Sequence, residues 1–244
     1  MGQNIYDDPE FFAGYKRLRD TGSGLNEVLE QPALRAMLPE LVGKAVLELG
    51  CGMGQFACWC VEQGATRITG VDVSEKMLSI ARREYAHPRI EYVQAAIEEL
   101  CLPGAHFDVI VSSLALHYVE DYTAAVRNVY DWLVPDGTFV FSVEHPVCTA
   151  ALSFPGWIKD AEGRKCYWAV DNYGEEGKRA QTWFVEGVVK YHRTVSSYIN
   201  ALLAADFRIE RIEEPEAIPE AIEIRPDLAD ERRRPPFLLV KARR

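Results

Sequence analysis

Short apolar runs alternate with stretches of helical periodicity between residues 44 and 144. The apolar runs predict five strands, at residues 44–49, 67–73, 89–95, 107–113 and 137–144. The periodic stretches predict three helices between them, at residues 55–64, 75–86 and 122–134. Ser74 is placed to cap the second of these helices. This alternation implies right-handed βαβ crossovers, so we expect an α/β fold with a doubly wound, mostly parallel sheet.

The alternation breaks after residue 146, where aromatic, charged and glycine residues crowd together and predict an insertion over the open edge of the sheet. A helix at 194–207 then precedes two strands, at 208–214 and 237–242, with no helix predicted between them. These strands complete a seven-stranded Rossmann-like sheet whose last strand is antiparallel. The chain thus divides into a helical leader or lid at 1–43, a core at 44–146 and 191–244, and an inserted substrate cap at 147–190.

Charge and cysteine usage narrow the class of partner. The 244 residues include 27 basic and 37 acidic side chains, a net charge of −10, which disfavours binding to nucleic acid or to an anionic membrane. No apolar run reaches the roughly 18 residues of a membrane span, and the amino terminus does not resemble a signal peptide. The six cysteines form no C-x-x-C pair, so we expect reduced thiols, no metal site and a cytoplasmic protein.

A glycine-rich turn, ELGCGMG at residues 48–54, follows the first predicted strand. In one register, Gly52, Gly54 and Ala57 fit a dinucleotide fingerprint, and Asp72 stands 20 residues after Gly52, which favours an NAD-dependent oxidoreductase. That register begins two residues after the strand ends, however. A carboxylate at Glu48 is also electrostatically costly beside a diphosphate. The Glu48 carboxylate instead favours a cationic ligand, which would lie directly against the backbone of the glycine turn.

The segments ELGCGMG, GVDVSEKML and FDVIVSSLALHYVED, in this order, resemble the class I S-adenosylmethionine-dependent methyltransferases. The resemblance is to the small-molecule branch, which includes enzymes of quinone biosynthesis. It implies methyl transfer to a small-molecule acceptor, with S-adenosylmethionine as cofactor. The cofactor-binding residues that it implies are Glu48, Gly50, Cys51, Gly52, Gly54, Asp72, Val73, Met77, Ala96, Ile97, Ser112, Ser113, Leu114 and His117.

Within this implied site, Glu48 helps to place the methionine end of the cofactor, and Asp72 accepts hydrogen bonds from the ribose hydroxyls. Val73 and Met77 flank the adenine. Many members of the family carry an acid after the third strand, where this chain has Ala95 and Ala96. The backbone there, or Glu98, is then left to hold the adenine amino group.

Candidate groups for the acceptor follow the fifth strand and the insertion. His145 and His192 are candidate general bases, because imidazole is neutral near working pH. Arg193 is a candidate for anchoring an anionic acceptor. Each of these three residues is also compatible with a structural role, as a hydrogen bond between the insertion and the sheet. His117, among the cofactor residues, is equally compatible with simple packing.

The leader contributes Tyr6, Phe11, Tyr15 and Arg19 to a possible lid over the cofactor. Besides the oxidoreductase, a protein that binds the cofactor without catalysis is a further alternative. The expected partners are a small-molecule acceptor and, at most, a second copy of the chain, as a monomer or homodimer.

Overall fold

The central sheet sets the architecture of the chain, whose computed structural model describes residues 3–22, 24–153 and 156–244. Seven strands pair in the order β10-β11-β5-β4-β1-β2-β3. Their bounds are β1 Ala45–Leu49, β2 Arg67–Asp72, β3 Ile90–Gln94, β4 Phe107–Ser113, β5 Leu133–Glu144, β10 Arg208–Glu213 and β11 Phe237–Arg243. The five strands from β1 to β5 run parallel, as predicted. The strand order reverses at β1, which has β2 on one side and β4 on the other.

Strand β5 begins earlier than predicted. Leu133 pairs with Phe107, the ladder then breaks around Pro135, and pairing resumes at Thr138 opposite Val109. The break follows from the proline, which has no N–H to donate to the ladder. The preceding helix accordingly ends at Trp132, two residues before the predicted end.

Helices cover both faces of the sheet, and two apolar clusters fill the space between sheet and helices. The helices that connect or follow the parallel strands are α3 Gln55–Glu62, α4 Glu75–Glu84, α5 Tyr122–Trp132 and α7 Val195–Ala204. The predicted cap of α4 by Ser74 is confirmed, and Thr194 caps α7 in the same way. The Ser74 hydroxyl accepts the amide of Met77, and the Thr194 hydroxyl accepts that of Ser197, at 3.1 and 3.2 Å.

The leader is helical, as predicted. It contains a 3-10 turn at Ile5–Asp7, helix α1 at Pro9–Asp20, a π-helical turn at Asn26–Glu30 and helix α2 at Gln31–Met37. Asp8 caps α1 by accepting the amides of Glu10 and Phe11, both at 2.9 Å.

The connection between the last two strands corrects one prediction. It is not free of helix, because α8 Pro219–Ile224 and a 3-10 segment at Pro226–Arg233 lie within it. Both segments begin with a proline, which made the sequence look non-helical there. Proline is nevertheless compatible with the first turn of a helix. The predicted strand direction is nevertheless confirmed, since β11 is antiparallel to both β5 and β10.

The insertion consists of the short helix α6 Pro146–Thr149 and two antiparallel hairpins. The hairpin strands are β6 Trp157–Lys159, β7 Lys165–Trp168, β8 Gly177–Trp183 and β9 Val185–His192. Strand β9 extends two residues beyond the predicted cap boundary at 190. The insertion lies over the carboxyl ends of β4 and β5, rather than over an open sheet edge, because Lys190 contacts Glu144 and Arg193 contacts Val119.

Candidate functional site

A cavity of about 1180 Å³ lies at the carboxyl ends of the parallel strands, where the strand order reverses. This is where open α/β sheets bind ligands. Core, leader and cap all contribute to its walls. It brings together most of the residues predicted to bind the cofactor, namely Glu48, Gly50, Cys51, Gly52, Asp72, Val73, Met77, Ala96, Ile97, Ser113, Leu114 and His117.

The glycine turn uses its own backbone donors to hold its shape. The amides of Gly50 and Cys51 both donate to the carbonyl of Val71, at 2.8 and 2.9 Å. The amide of Gly52 donates to Oδ2 of Asp72 at 2.8 Å. A phosphate-binding turn needs such amides to point at its ligand. The three amides are therefore committed to the protein, which argues against a diphosphate in this turn.

Gly50 is required for two reasons. Its φ of +81° is in the left-handed region, and a Cβ there would lie 2.4 Å from the Cβ of Ala115. A Cβ added at Gly52, by contrast, would have no atom within 4 Å, and the bare side of this residue faces the cavity.

Two of the predicted cofactor residues do not line the cavity. At Gly54 an added Cβ would lie 2.4 Å from the hydroxyl oxygen of Tyr92, so this glycine permits packing of α3 and not ligand approach. Ser112 is fully buried, and its hydroxyl donates to the carbonyl of Leu49 at 2.9 Å. Gly54 and Ser112 therefore support the packing around the strand ends without lining the cavity.

Two carboxylates face the cavity from the ends of β1 and β2. Glu48 is only 3% exposed, and its Oε2 atom has no hydrogen-bond partner among the described residues. Burial raises the pKa of Glu48 well above its usual range, and the charges of Asp72 and Glu30 add to this. A buried carboxyl group without a hydrogen-bond partner gains one when a cationic ligand binds beside it, and the ligand's charge favours the ionised form.

Asp72 is already engaged by the backbone. Its Oδ2 accepts the amide of Gly52, and its Oδ1 accepts the amide of Ser74 at 2.9 Å. Burial raises its pKa, while these two hydrogen bonds oppose the rise. Each carboxylate oxygen has a second lone pair, so the same side chain can order the turn and accept a ligand hydroxyl.

The structure does not bring the predicted acceptor residues into the cavity. Both ring nitrogens of His145 are engaged, Nε2 with Oε1 of Glu214 at 2.7 Å and Nδ1 with the amide of Val147 at 3.2 Å. His192 is fully buried between the hydroxyl of Thr149 and the carbonyl of Tyr173, at 2.8 and 3.0 Å. His145 therefore ties the start of α6 to the segment after β10, and His192 ties β9 to two other parts of the insertion.

Arg193 has a similar structural environment. Its Nη2 donates to the carbonyls of Val119 and Glu120, both at 2.6 Å. Its guanidinium also lies over the rings of Tyr122 and Tyr198, at 5.4 and 6.0 Å from their centroids. The side chain joins the end of β9 to the core and is not directed at a ligand.

A different set of side chains occupies the cap side of the cavity. Glu144, at the end of β5, binds Nζ of Lys190 through Oε1 at 2.5 Å. The Lys190 ammonium lies 5.1 Å from the ring centroid of Trp183 and 5.9 Å from that of Tyr118. Burial opposes ionisation of both partners, yet the pair lowers the pKa of Glu144 and raises that of Lys190. The cap side thus holds an ionised pair between aromatic rings.

His117 connects the two halves of the cavity. Its Nδ1 accepts the amide of Glu144 at 3.3 Å, so the neutral ring carries its proton on Nε2. Burial lowers its pKa to about 4, and the nearby Lys190 charge contributes. The ring is therefore neutral where it lines the cavity, with its Nδ1 engaged by the backbone.

Comparison with known proteins agrees with this geometry. Residues 47–141 match a family model described as a methyltransferase domain. The crystal structure of an S-adenosylmethionine-dependent methyltransferase from Mesorhizobium loti is 49% identical, with a TM-score of 0.84, over 91% of this chain and all of that one. The chain belongs to the S-adenosylmethionine-dependent methyltransferases. The methyltransferase is also 38% identical to a Haemophilus influenzae protein of unassigned function, over 99% of its own length and 97% of that protein's.

A third relative matches over a shorter segment. The malonyl-[acyl-carrier protein] O-methyltransferase of Enterobacter lignolyticus is 37% identical over 110 residues, 45% of this methyltransferase and 43% of that protein. The family assignment makes the methyltransferase an enzyme that uses S-adenosylmethionine, and it removes the NAD-dependent and non-catalytic alternatives. Among the described residues, no helix is long and apolar enough to span a membrane, and no cluster of metal-binding side chains occurs.

Sequence reasoning missed two buried charged residues at the site. Glu30 is fully buried behind the cavity, where its Oε1 accepts the hydroxyls of Ser113 and Ser142 at 2.9 and 2.5 Å. Nothing in the leader sequence distinguishes it from other glutamates. Lys190 did carry a signal, because it alternates with Val188 and His192 on the buried face of β9. A lysine in the inward register of a strand indicates a partnered charge.

The leader closes the cavity from the outside. Asp7 accepts the hydroxyl of Ser74 at 2.6 Å and the amide of Lys76 at 3.2 Å, which joins the leader to the start of α4. Gln3 joins it to the cap, donating to the carbonyl of Gly187 at 2.9 Å and accepting the amide of Val189 at 2.8 Å. Of the predicted lid residues, Tyr6, Tyr15 and Arg19 line the cavity, and Phe11 packs behind them.

Proposed function

We propose that the enzyme transfers the methyl group of S-adenosylmethionine to a small molecule held between Glu144, Lys190 and the aromatic residues of the cap. When bound, the cofactor supplies an electrophilic methyl group on a sulfonium. The observation that carries the proposal is the buried, unpartnered Oε2 of Glu48 beside a turn in which the amides of Gly50, Cys51 and Gly52 are already bonded within the protein. That arrangement suits a cation without phosphate.

Glu48 and Asp72 would hold the polar ends of the cofactor. The free oxygen of Glu48 can accept the α-amino group and gain the partner that it lacks in the protein alone. Asp72 offers its remaining lone pairs to the two ribose hydroxyls. Its bond to the Gly52 amide couples ribose binding to the shape of the turn.

The adenine would lie between side chains at the ends of β2 and β3. Val73, Met77 and Ile97 line this part of the cavity and offer apolar contact. Residues 95 and 96 are alanines, so no acidic side chain is present there to bind the adenine amino group. The backbone of Ala96 and Ile97 would accept its hydrogen bond instead. Glu98 is less suited to this role, because its Oε1 already accepts the amide of Glu120 at 3.2 Å.

Cavity size and enclosure support a small acceptor. Pockets for a single ligand commonly measure about 300–1,000 Å³, and the 1180 Å³ here exceeds that range. The leader and both hairpins contribute residues to the walls of this cavity. A chain of net charge −10 is poorly suited to bind the phosphates of a nucleic acid. Methyl transfer itself mainly needs proximity and alignment, which such an enclosed pocket provides.

Two measurements test the proposal. By calorimetry, S-adenosylhomocysteine should bind to the enzyme and NAD should not. A screen of phenols, azoles, amines and carboxylates with S-adenosylmethionine should then reveal turnover, measured as S-adenosylhomocysteine formed. Binding of NAD and not of S-adenosylhomocysteine would refute the proposed cofactor site. Methyl transfer only to proteins or nucleic acids would refute a small-molecule acceptor. Light scattering on the same samples decides between monomer and homodimer.

A further inference from the structure

Glu144 has one carboxylate oxygen bound and one open. Oε1 is held by the ammonium of Lys190 at 2.5 Å, whereas no described residue donates to Oε2. The side chain is 26% exposed and lines the cavity, so the open oxygen is available to a ligand. The bond from its own amide to His117 fixes the backbone at this point. A rigid, negatively charged acceptor therefore faces the cap side of the cavity.

The cations around Glu144 are already paired. Lys190 is bound to Glu144 itself and is 3% exposed. Arg234 donates to Glu231 and to Sγ of Cys148, and its guanidinium stacks on Trp168 at 4.6 Å from the ring centroid. Both cations are thus engaged by groups of the protein itself, with only Nε of Arg234 lacking a hydrogen-bond partner among the described residues. A second carboxylate at this place would instead meet the charge of Glu144.

The walls fit a flat, apolar body. The rings of Tyr118, Trp157, Trp168 and Trp183 all line the cavity. Two of them, Tyr118 and Trp183, already flank the ammonium that holds Glu144. Aromatic walls stack well on aromatic ligands, and the carboxylate between them selects ligands that carry a hydrogen-bond donor.

We propose, building on the proposed function, that Oε2 of Glu144 accepts a hydrogen bond from the N–H or O–H of the acceptor's reacting atom and takes that proton during transfer. The acceptor class is thereby a neutral, planar N–H or O–H compound. The lone pair of its nitrogen or oxygen forms the bond to the methyl carbon, and the carbon–sulfur electron pair returns to sulfur. The N–H or O–H electron pair stays on the acceptor, and its proton passes to Oε2 and then to solvent.

A weak base is sufficient for this step. As the acceptor atom bonds to the methyl group it becomes positively charged, and its proton becomes far more acidic. A carboxylate that Lys190 keeps ionised can then receive it. The charged or titratable groups that face Glu144 are Lys190 on β9, His117 and Tyr118 after β4, Cys148 on α6, Tyr198 on α7 and Arg234 before β11.

Three probes of one shape test the inference by binding, without need for turnover. They are 2-naphthol, which has the donor, 2-methoxynaphthalene, which lacks it, and 2-naphthoate, which is anionic. Affinity is measured by tryptophan fluorescence on enzyme saturated with S-adenosylhomocysteine. We expect 2-naphthol to bind about 10-fold more tightly than either other probe, the scale of one hydrogen bond to a charged group.

Two variants assign this preference to Glu144. In Glu144→Gln the preference should fall to about 3-fold or less, because a neutral amide accepts more weakly. The double variant Glu144→Leu/Lys190→Leu removes both buried charges together, so that neither is left unpaired in the folded protein. It should show no preference for 2-naphthol over the other two probes.

A third variant, Lys190→Met, tests the pH dependence. It should move the loss of 2-naphthol binding to higher pH, since it removes the charge that keeps Glu144 ionised. Glu186→Gln, at an exposed position on the same hairpin, is the matched control.

The outcomes separate this inference from the proposed function. If the wild-type enzyme fails to bind S-adenosylhomocysteine, the proposed function itself fails. If it binds that compound but prefers 2-naphthoate, binds no probe, or keeps its preference for 2-naphthol in both Glu144 variants, the role of Glu144 is overturned and the methyltransferase assignment stands.

Discussion

Replacement of Glu48 by glutamine should stabilise the protein alone and weaken its binding to the cofactor. Glu48 lies at the end of β1, 3% exposed, with an unpartnered Oε2 and two further carboxylates, Asp72 and Glu30, close enough to raise its pKa. In the protein without ligand, its charge has no compensation. A bound α-amino group would supply that compensation, so the same substitution acts in opposite directions on the two states.

The size of both effects follows from the missing partner. A glutamine amide at this position would also lack a partner, so Glu48→Gln removes only the additional cost of burying a charge, and it should raise the free energy of unfolding by about 1–3 kcal/mol at neutral pH. For a chain of this size, each kcal/mol corresponds to roughly 2–4 °C in Tm. Loss of the charged hydrogen bond to the amino group, about 1.5–3 kcal/mol, should weaken cofactor binding by about 10- to 150-fold.

The stabilisation should depend on pH. Because burial raises the pKa of Glu48 in the folded state, folding favours its protonated form, and the wild-type protein loses stability as pH rises from the unfolded pKa, about 4.3, through the folded one. The variant lacks this loss. Its advantage should therefore vanish below about pH 4 and be greatest above the folded pKa of Glu48.

Thermal unfolding without ligand, at several pH values, and calorimetry with S-adenosylhomocysteine measure the two effects. Glu186→Gln, with an exposed side chain in the cap, should change neither. Two results would refute the reasoning: a variant that is less stable than the wild type at neutral pH, or one that binds S-adenosylhomocysteine as tightly as the wild type does.

Other substitutions test the roles of individual residues of the site and the cap. Asp72→Ala should weaken S-adenosylhomocysteine binding by about 2–3 kcal/mol in calorimetry, since ordering of the turn and ribose contacts are lost together; unchanged affinity would remove Asp72 from the site. Gly50→Ala should cost about 2–5 kcal/mol in urea unfolding, because a Cβ 2.4 Å from Ala115 adds overpacking to backbone strain. Gly52→Ala, with no atom within 4 Å, should cost only the strain, and equal costs would contradict this. His192→Gln should lower the free energy of unfolding by about 1–3 kcal/mol and leave S-adenosylhomocysteine affinity unchanged; unchanged stability would count against a structural role.

The sheet and the glycine turn were predictable because their signals are local. An apolar run such as KAVLEL can be buried only as an inner strand, and the glycines after it mark where the strand must turn. Glu48 stood out for the same reason, as an acid within that run. The cavity confirms that this carboxylate and the turn face the same space.

The cap side was not predictable, because its contacts join distant parts of the chain. His192 meets Thr149, 43 residues away, and Lys190 meets Glu144, 46 residues away. Lys190 and His192 share the buried face of β9, so the alternation of this strand indicates which side chains point inward but not which of them lines the cavity. The histidines and Arg193 looked chemically suitable, but hydrogen bonds from the fold had already engaged them.

The leader has a consequence for the order of events on the enzyme. Asp7 ties it to the start of α4 beside the proposed cofactor site, and Gln3 ties it to β9 beside the proposed acceptor site. Lifting this segment breaks both attachments together, so neither half of the cavity opens by that route alone. We therefore expect S-adenosylhomocysteine and the methylated product to leave at a common rate, set by one gate and not by two separate exits.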